Sequence, residues 1–158
     1  MGGLSDAREK AILDSEFSSS VYLRLLTGAA GQEMNDNGTF PAGLSELPTA
    51  NGYAPRLVSS ASWASAVAGN PSIKTVPNPA HSPITFTPSG ASWDICGFAF
   101  TSDNSTISSS NLLYSGVLVD VVNAPTLYHV GDGTPFSITD QYPIVVRLGD
   151  PPAGVNPT

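Results

Sequence analysis

The sequence predicts a mainly β protein: an antiparallel β-sandwich or jelly-roll-like barrel with one short N-terminal α-helix, extended loops and a C-terminal arm. Three observations carry this. Short apolar runs rich in Val, Ile, Phe, Tyr and Trp recur along the chain. Turn-forming clusters separate them: Pro88-Ser89-Gly90, Ser102-Asp103-Asn104-Ser105, Asn123-Ala124-Pro125 and Gly131-Asp132-Gly133. Only one stretch has good helical character. Strands at such spacing, without helices between them, pack as antiparallel sheets rather than as βαβ units. At 158 residues the chain has the length of one domain, able to bury roughly 70% of its unfolded surface in a core.

The helix is expected from Ser5 to about Phe17. Asp6 followed by Glu9 has capping spacing, and Ser5 is an alternative N-cap. Ala7, Ala11, Ile12, Leu13 and Phe17 supply a loose apolar side, and Arg8, Glu9, Lys10, Asp14 and Glu16 a charged one. So short a helix is marginal alone and must dock on something. Val21 to Thr27 follows as a strand with Val21, Leu23 and Leu25 on one face. Residues 28–49, rich in Gly, Asn and Pro, read as a long excursion. Tyr53 to Ser60 is expected as a second strand, with Pro55 marking an edge or bulge, and Asn70 to Pro83 as an extended surface loop. Ile84–Thr87, Trp93–Phe100, Leu112–Val122, Thr126–Val130, Pro135–Thr139 and Ile144–Leu148 complete the strands. The expected organisation is an N-terminal helix or anchor at 1–20, a β-sandwich at 21–148 and a Pro-rich arm at 149–158.

Composition narrows the function. The net charge is −7, which disfavours contact with nucleic-acid phosphates. Charged residues make up 12%, against about 25% in an average globular domain. That suits a polar surface packed among protein neighbours. Met1–Lys10 has no apolar run, so no signal peptide is expected, and no apolar stretch is long enough for a membrane span. Cys96 is the single cysteine and reads as a small core residue.

Chemistry-bearing constellations are scarce. His81 and His129 are far apart in unlike settings, so no zinc site is expected. The turns at Asp103–Thr106 and Gly131–Gly133 are oxygen-rich but lack a calcium-loop ligand order. No Gly-x-Ser-x-Gly elbow is present, and a triad using His81 or His129 is left open by spacing alone. Paired carboxylates would come from Asp94, Asp103, Asp120, Asp132 or Asp140, most of which flank turns. Trp63, Trp93, Tyr114 and Tyr128 are candidates for a sugar-stacking platform, though strand aromatics more often serve a core or interface. No catalytic residue, cofactor or metal is expected.

The order of segments resembles a family of small tailed-phage and prophage virion proteins, often labelled tail-fibre-like or capsid decoration proteins. The resembling segments are Leu4-Ser5-Asp6, Val21-Tyr22-Leu23-Arg24-Leu25-Leu26-Thr27, Gly52-Tyr53-Ala54-Pro55-Arg56 and Phe86-Thr87-Pro88. They continue with Trp93 then Gly97-Phe98-Ala99-Phe100, Asn111 to Leu118, and Val130-Gly131-Asp132-Gly133. The match runs from about residue 4 to 148. It departs in the longer segments at 28–49 and 66–83 and in the Pro-rich tail.

The resemblance implies a non-enzymatic virion structural protein, assembled in the bacterial host cytoplasm. A capsid decoration or cement protein stabilising contacts between capsid subunits is favoured. A tail or tail-fibre component is the alternative, and a carbohydrate-binding module is a third reading. Expected partners are the major capsid protein or other virion proteins, together with further copies of the chain, a trimer being favoured. Neither nucleic acid nor membrane is expected as a partner. Expected interface residues are Leu4, Leu13, Phe17, Phe40, Trp63, Pro77, Pro79, Pro151 and Pro152.

Overall fold

The computed structural model describes residues 4–35, 37–69, 71–120 and 122–148. It is mainly β, with antiparallel sheets and one N-terminal helix. The chain divides into two compact units, each assembled from separated segments. Among the described residues, the helix belongs to a unit with residues 59–84 and 138–148, and residues 20–58 and 85–137 form the other. The Pro-rich arm expected at 149–158 lies outside the described residues.

In the first unit, α1 (Asp6–Glu16) starts at Ser5, whose carbonyl accepts the Arg8 and Glu9 N–H groups at 2.8 and 3.0 Å. Its buried stripe is Glu9, Leu13 and Phe17, at i, i+4 and i+8, which stack on one helical face. Ala7 and Ala11, expected inside, are exposed. The helix packs on β4 (Ser72–Val76) and β11 (Ile144–Leu148), which pair antiparallel with Ile144 opposite Val76.

The existence of β4 corrects the surface loop expected over 70–83. Its inward positions are Ser72, Lys74 and Val76, so two of three core-facing residues are polar and the apolar alternation is hidden. Lys74 is tolerated there because its ammonium meets Asp14 Oδ1 at 2.6 Å. Asp14 also accepts Lys10 Nζ at 2.6 Å and the Ala66 N–H at 3.0 Å. Burial alone would push the Asp14 carboxyl up. The bonds from Lys10, Lys74 and Ala66, with the charge of Lys74, outweigh it and hold Asp14 well below the usual carboxylate range.

A depressed pKa contributes stability above the unfolded value, near pH 4, and that contribution disappears as pH falls through the folded value. Asp14→Asn is therefore expected to destabilise at neutral pH by about 2 kcal/mol, a figure already reduced for the solvent reaching this carboxylate. Urea titrations from pH 7 down to pH 2 should show the gap to the parent protein constant above pH 5 and closing below pH 4.

In the second unit, β1 (Val21–Thr27) is the centre of a five-stranded sheet. It pairs on one side with β2 (Ser45–Glu46) and β3 (Arg56–Val58), and on the other with β7 (Gly97–Thr101), which in turn pairs with β8 (Leu112–Val117). Val21 and the run Leu23–Leu26 are all buried, so this strand is covered on both faces. On one face Leu23 and Leu25 lie opposite Phe100 and Phe98. On the other, Met34 and Leu44 of the expected excursion fold over Leu26, Cys96, Ala99 and Ile107, with Phe40 and Leu112 packed against them. Residues 28–49 thus supply core to their own sheet.

The run Trp93–Phe100 is interrupted at Cys96: β6 (Trp93–Ile95) pairs with β9 (Tyr128–Val130) instead. Beside β6 stands Tyr53, its ring edge-on to Trp93 at 6.0 Å and stacked with Phe86 at 6.4 Å. β5 (Ile84–Phe86) and β10 (Phe136–Ile138) form a short pair, with a 2.9 Å hydrogen bond between the Thr85 and Ser137 hydroxyls.

Candidate interaction surface

The most polar buried place in the second unit surrounds Arg24, whose side chain is 4% exposed. Nε donates to Thr101 Oγ1 at 2.9 Å, and Nη1 to both Glu46 oxygens at 2.9 and 3.0 Å. Nη2 donates to the Ser105 carbonyl at 2.7 Å and the Asp103 carbonyl at 3.3 Å. Tyr53 donates its O–H to Glu46 Oε1 at 2.8 Å and accepts the Leu25 N–H at 3.1 Å. Burial and the adjacent Glu46 charge push the phenol far above its ordinary value, so it remains a donor. A cleft of about 380 Å³ opens beside this cluster, lined in part by Glu46, Pro48, Pro55, Asn104 and Thr106. Every guanidinium nitrogen is already engaged, and no histidine or cysteine lines the cleft. The cluster ties β1 to β2 and to the 103–105 turn; it is scaffold.

The other chemical candidates resolve as follows. His129 Nδ1 lies 2.8 Å from Asp94 Oδ1, both mostly exposed on neighbouring strands β6 and β9. No serine hydroxyl is bonded to His129 or His81 among the described residues. Asp103 takes the Ser105 hydroxyl, the Ser105 N–H at 2.8 Å and Asn111 Nδ2 at 3.0 Å on one oxygen. These donors hold its carboxyl below the usual range. Asp132 accepts the Gly90 N–H at 2.8 Å. Both are turn-forming carboxylates. Among the described residues no group of three or more His, Cys, Asp or Glu side chains comes together to hold a metal, and no helix is long and apolar enough to cross a membrane.

What the second unit does present is an apolar, hydrogen-bonded hairpin beyond β8. The Leu118 N–H donates to the Cys96 carbonyl at 2.9 Å, and the Leu118 carbonyl accepts the Thr126 N–H at 3.0 Å. Val119 and Pro125 form an isolated bridge. The tip is closed by Asp120, whose Oδ1 accepts the Val122 and Ala124 N–H groups at 2.9 and 3.0 Å. Asn123 takes the left-handed conformation, φ 61°, which Asn tolerates better than most residues. Tyr128 crosses to the hairpin, its O–H donating to the Val119 carbonyl at 3.3 Å.

On this braced backbone Val122 is 73% exposed, with Val119, Leu127 and Tyr128 each at 40% or more. Four apolar side chains thus stand well exposed along one hydrogen-bonded hairpin, which makes it the candidate contact surface.

The expected interface residues are distributed differently. Leu13, Phe17 and Trp63 are buried within the first unit, where the Phe17 and Trp63 rings lie 4.1 Å apart. Pro77 is also buried. In this conformation none of the four offers a surface. Phe40 is half-buried on the Leu26 cluster, while Leu4 and Pro79 are exposed. Pro151 and Pro152 lie outside the described residues. Trp63 and Trp93 are both buried, so neither ring can serve a sugar, and the carbohydrate platform built on them is withdrawn. The apolar run from Leu112 reads as one strand through Val122, whereas β8 ends at Val117 and leaves Val119 and Val122 exposed. The Asn123-Ala124-Pro125 turn was the available sign that the end of the run lay at a tip. No family model, curated protein or solved structure matches the chain.

Proposed function

We propose that this chain is a non-enzymatic structural protein of a bacteriophage virion, a capsid decoration protein that docks on capsid subunits and stabilises their contacts. The observation that carries the docking role is the braced hairpin 118–128 with its exposed Val119, Val122, Leu127 and Tyr128. The virion assignment is supported by the order of segments that resembles the phage family. Several residues of those segments are scaffold here. Tyr53 bonds Glu46, Arg56 lies over the Phe86 ring at 5.7 Å, and Gly97 and Gly116 admit close strand contact.

The test is reattachment of purified protein to particles stripped of it. The double variant Val122→Asp, Leu127→Asp is expected to lower occupancy at least about tenfold, as loss of a small apolar anchor cluster does. Its melting temperature should stay within about 3 °C of the parent, since exposed positions contribute little stability. Unchanged occupancy would remove the hairpin from the docking role. Location of the labelled protein on the tail in a particle map would overturn the capsid assignment.

A further inference from the structure

We propose that the outer edge of β8 is a strand-addition site for an extended segment of a partner protein, an apolar stretch flanked at both ends by basic residues. The proposal rests on the edge of β8 and on the flanking carboxylates Asp103 and Asp120, and stands whether or not the hairpin docks on a capsid.

The register fixes which backbone groups are available. The Leu118 N–H bonds the Cys96 carbonyl, and the β7–β8 ladder continues with Val117 opposite Gly97, Gly116 opposite Phe98 and Ser115 opposite Ala99. In an antiparallel pair the bonded positions alternate. Gly116 therefore directs its backbone groups to β7, while Val117 and Ser115 turn their N–H and C=O groups outward. β8 ends the sheet order, so among the described residues no strand takes up that edge.

Exposed edges are normally protected by a lysine, a proline or an inward charge. Leu112–Val117 contains none of these, and all six of its residues are half-buried rather than covered. The edge carries no charge, and no strand of the described residues pairs with it.

Charge selects the occupant. Asp103 stands at the start of β8, tied to Asn111 Nδ2 at 3.0 Å, and Asp120 follows its end. A second copy of β8 laid antiparallel would set Asp103 of one chain beside Asp120 of the other at both ends, and like charges so placed repel. Among the described residues the unit's exposed basic side chains are Arg56 and His129, the latter already beside Asp94, against the exposed carboxylates Glu33, Asp94, Asp103 and Asp132. A strand carrying Lys or Arg at its ends meets opposite charge at both, and its main chain supplies the bonds that Ser115 and Val117 lack.

The probe is the peptide Lys-Val-Thr-Val-Thr-Val-Lys, titrated into the full chain while backbone amide exchange is followed by NMR. The expected result is slowed exchange at the Ser115 and Val117 amides, with binding at least about tenfold weaker for the Glu-flanked peptide at low salt. Ser115→Pro removes an outward N–H without touching the β7 ladder, and should weaken binding about tenfold. If that variant does not fold, exchange in the unmodified chain decides alone. Unprotected Ser115 and Val117 amides at saturating peptide, or equal binding of the Glu-flanked peptide, overturn the proposal. So does a dimer in sedimentation that Ser115→Pro abolishes, which would make a second copy the occupant. Loss of the hairpin's docking role would leave all of these results unchanged.

Discussion

Replacing Glu46 with alanine is expected to lower the unfolding free energy by about 3 to 5 kcal/mol, among the largest effects of any single substitution in this chain. Arg24 is 3% exposed, and its guanidinium charge is balanced by the two Glu46 oxygens at 2.9 and 3.0 Å. Removing the carboxylate leaves that charge buried and uncompensated, and it also takes the acceptor from Tyr53. Glu46→Gln keeps a hydrogen-bond acceptor and should lose less.

The pair itself is not expected to be worth so much, because desolvating two charges offsets most of their attraction. Arg24→Met combined with Glu46→Leu should therefore recover much of the loss. The recovery should be incomplete, since Arg24 also satisfies Thr101 and the Ser105 carbonyl. Urea denaturation of the two single variants and the double gives the coupling directly. Additive losses would show that Arg24 and Glu46 do not act as a buried pair.

The second large effect is expected at Gly97. A Cβ placed there would stand 2.7 Å from the Gly116 carbonyl oxygen on β8. The obstacle is main chain, so β7 and β8 must separate for any side chain to fit. Gly97→Val should cost about 3 kcal/mol and loosen the β8 amides in hydrogen exchange more than those of β1. Gly116→Ala makes the useful contrast. Its Cβ would meet a ring atom of Phe98 at 2.9 Å, and a ring edge can tilt where a peptide carbonyl cannot. That variant should lose about half as much. Equal losses would mean that the sheet accommodates both sites by a common shift.

Much of this fold was legible in the residues themselves. Val21–Thr27 and Ile144–Leu148 fall where their apolar runs put them, because one face of each, Val21, Leu23 and Leu25 in the first and Ile144 and Val146 in the second, is apolar and buried. The helix was legible from its residue types and falls where expected, with Ser5 rather than Asp6 at the N-cap and no side-chain cap bond, though its buried stripe runs through Glu9, which composition assigns to water. β4 was hidden for a related reason: Ser72 and Lys74 face inward, and partners distant in sequence, the Asp6 carbonyl for Ser72 and Asp14 for Lys74, make that acceptable. The exposed apolar hairpin was the least legible part. Val119 and Val122 have the hydropathy of core residues, and the Asn123-Ala124-Pro125 turn beside them signals a tip without saying whether anything covers it.

The sequence by itself determined the mainly β class, the positions of most strands and turns, and the acidic, sparsely charged surface. These follow from local periodicity, turn chemistry and composition, each of which acts over a few residues. Tertiary structure alone decided that Lys74 and Arg24 would be buried, that residues 28–49 would close over the Leu26 cluster, and that hairpin 118–128 would stand exposed. Each of these depends on which distant group arrives opposite: a carboxylate for a buried cation, an apolar face for a loop, or no partner for a valine. Pairings of that kind are set by the packing of the whole unit, and no window of sequence contains them.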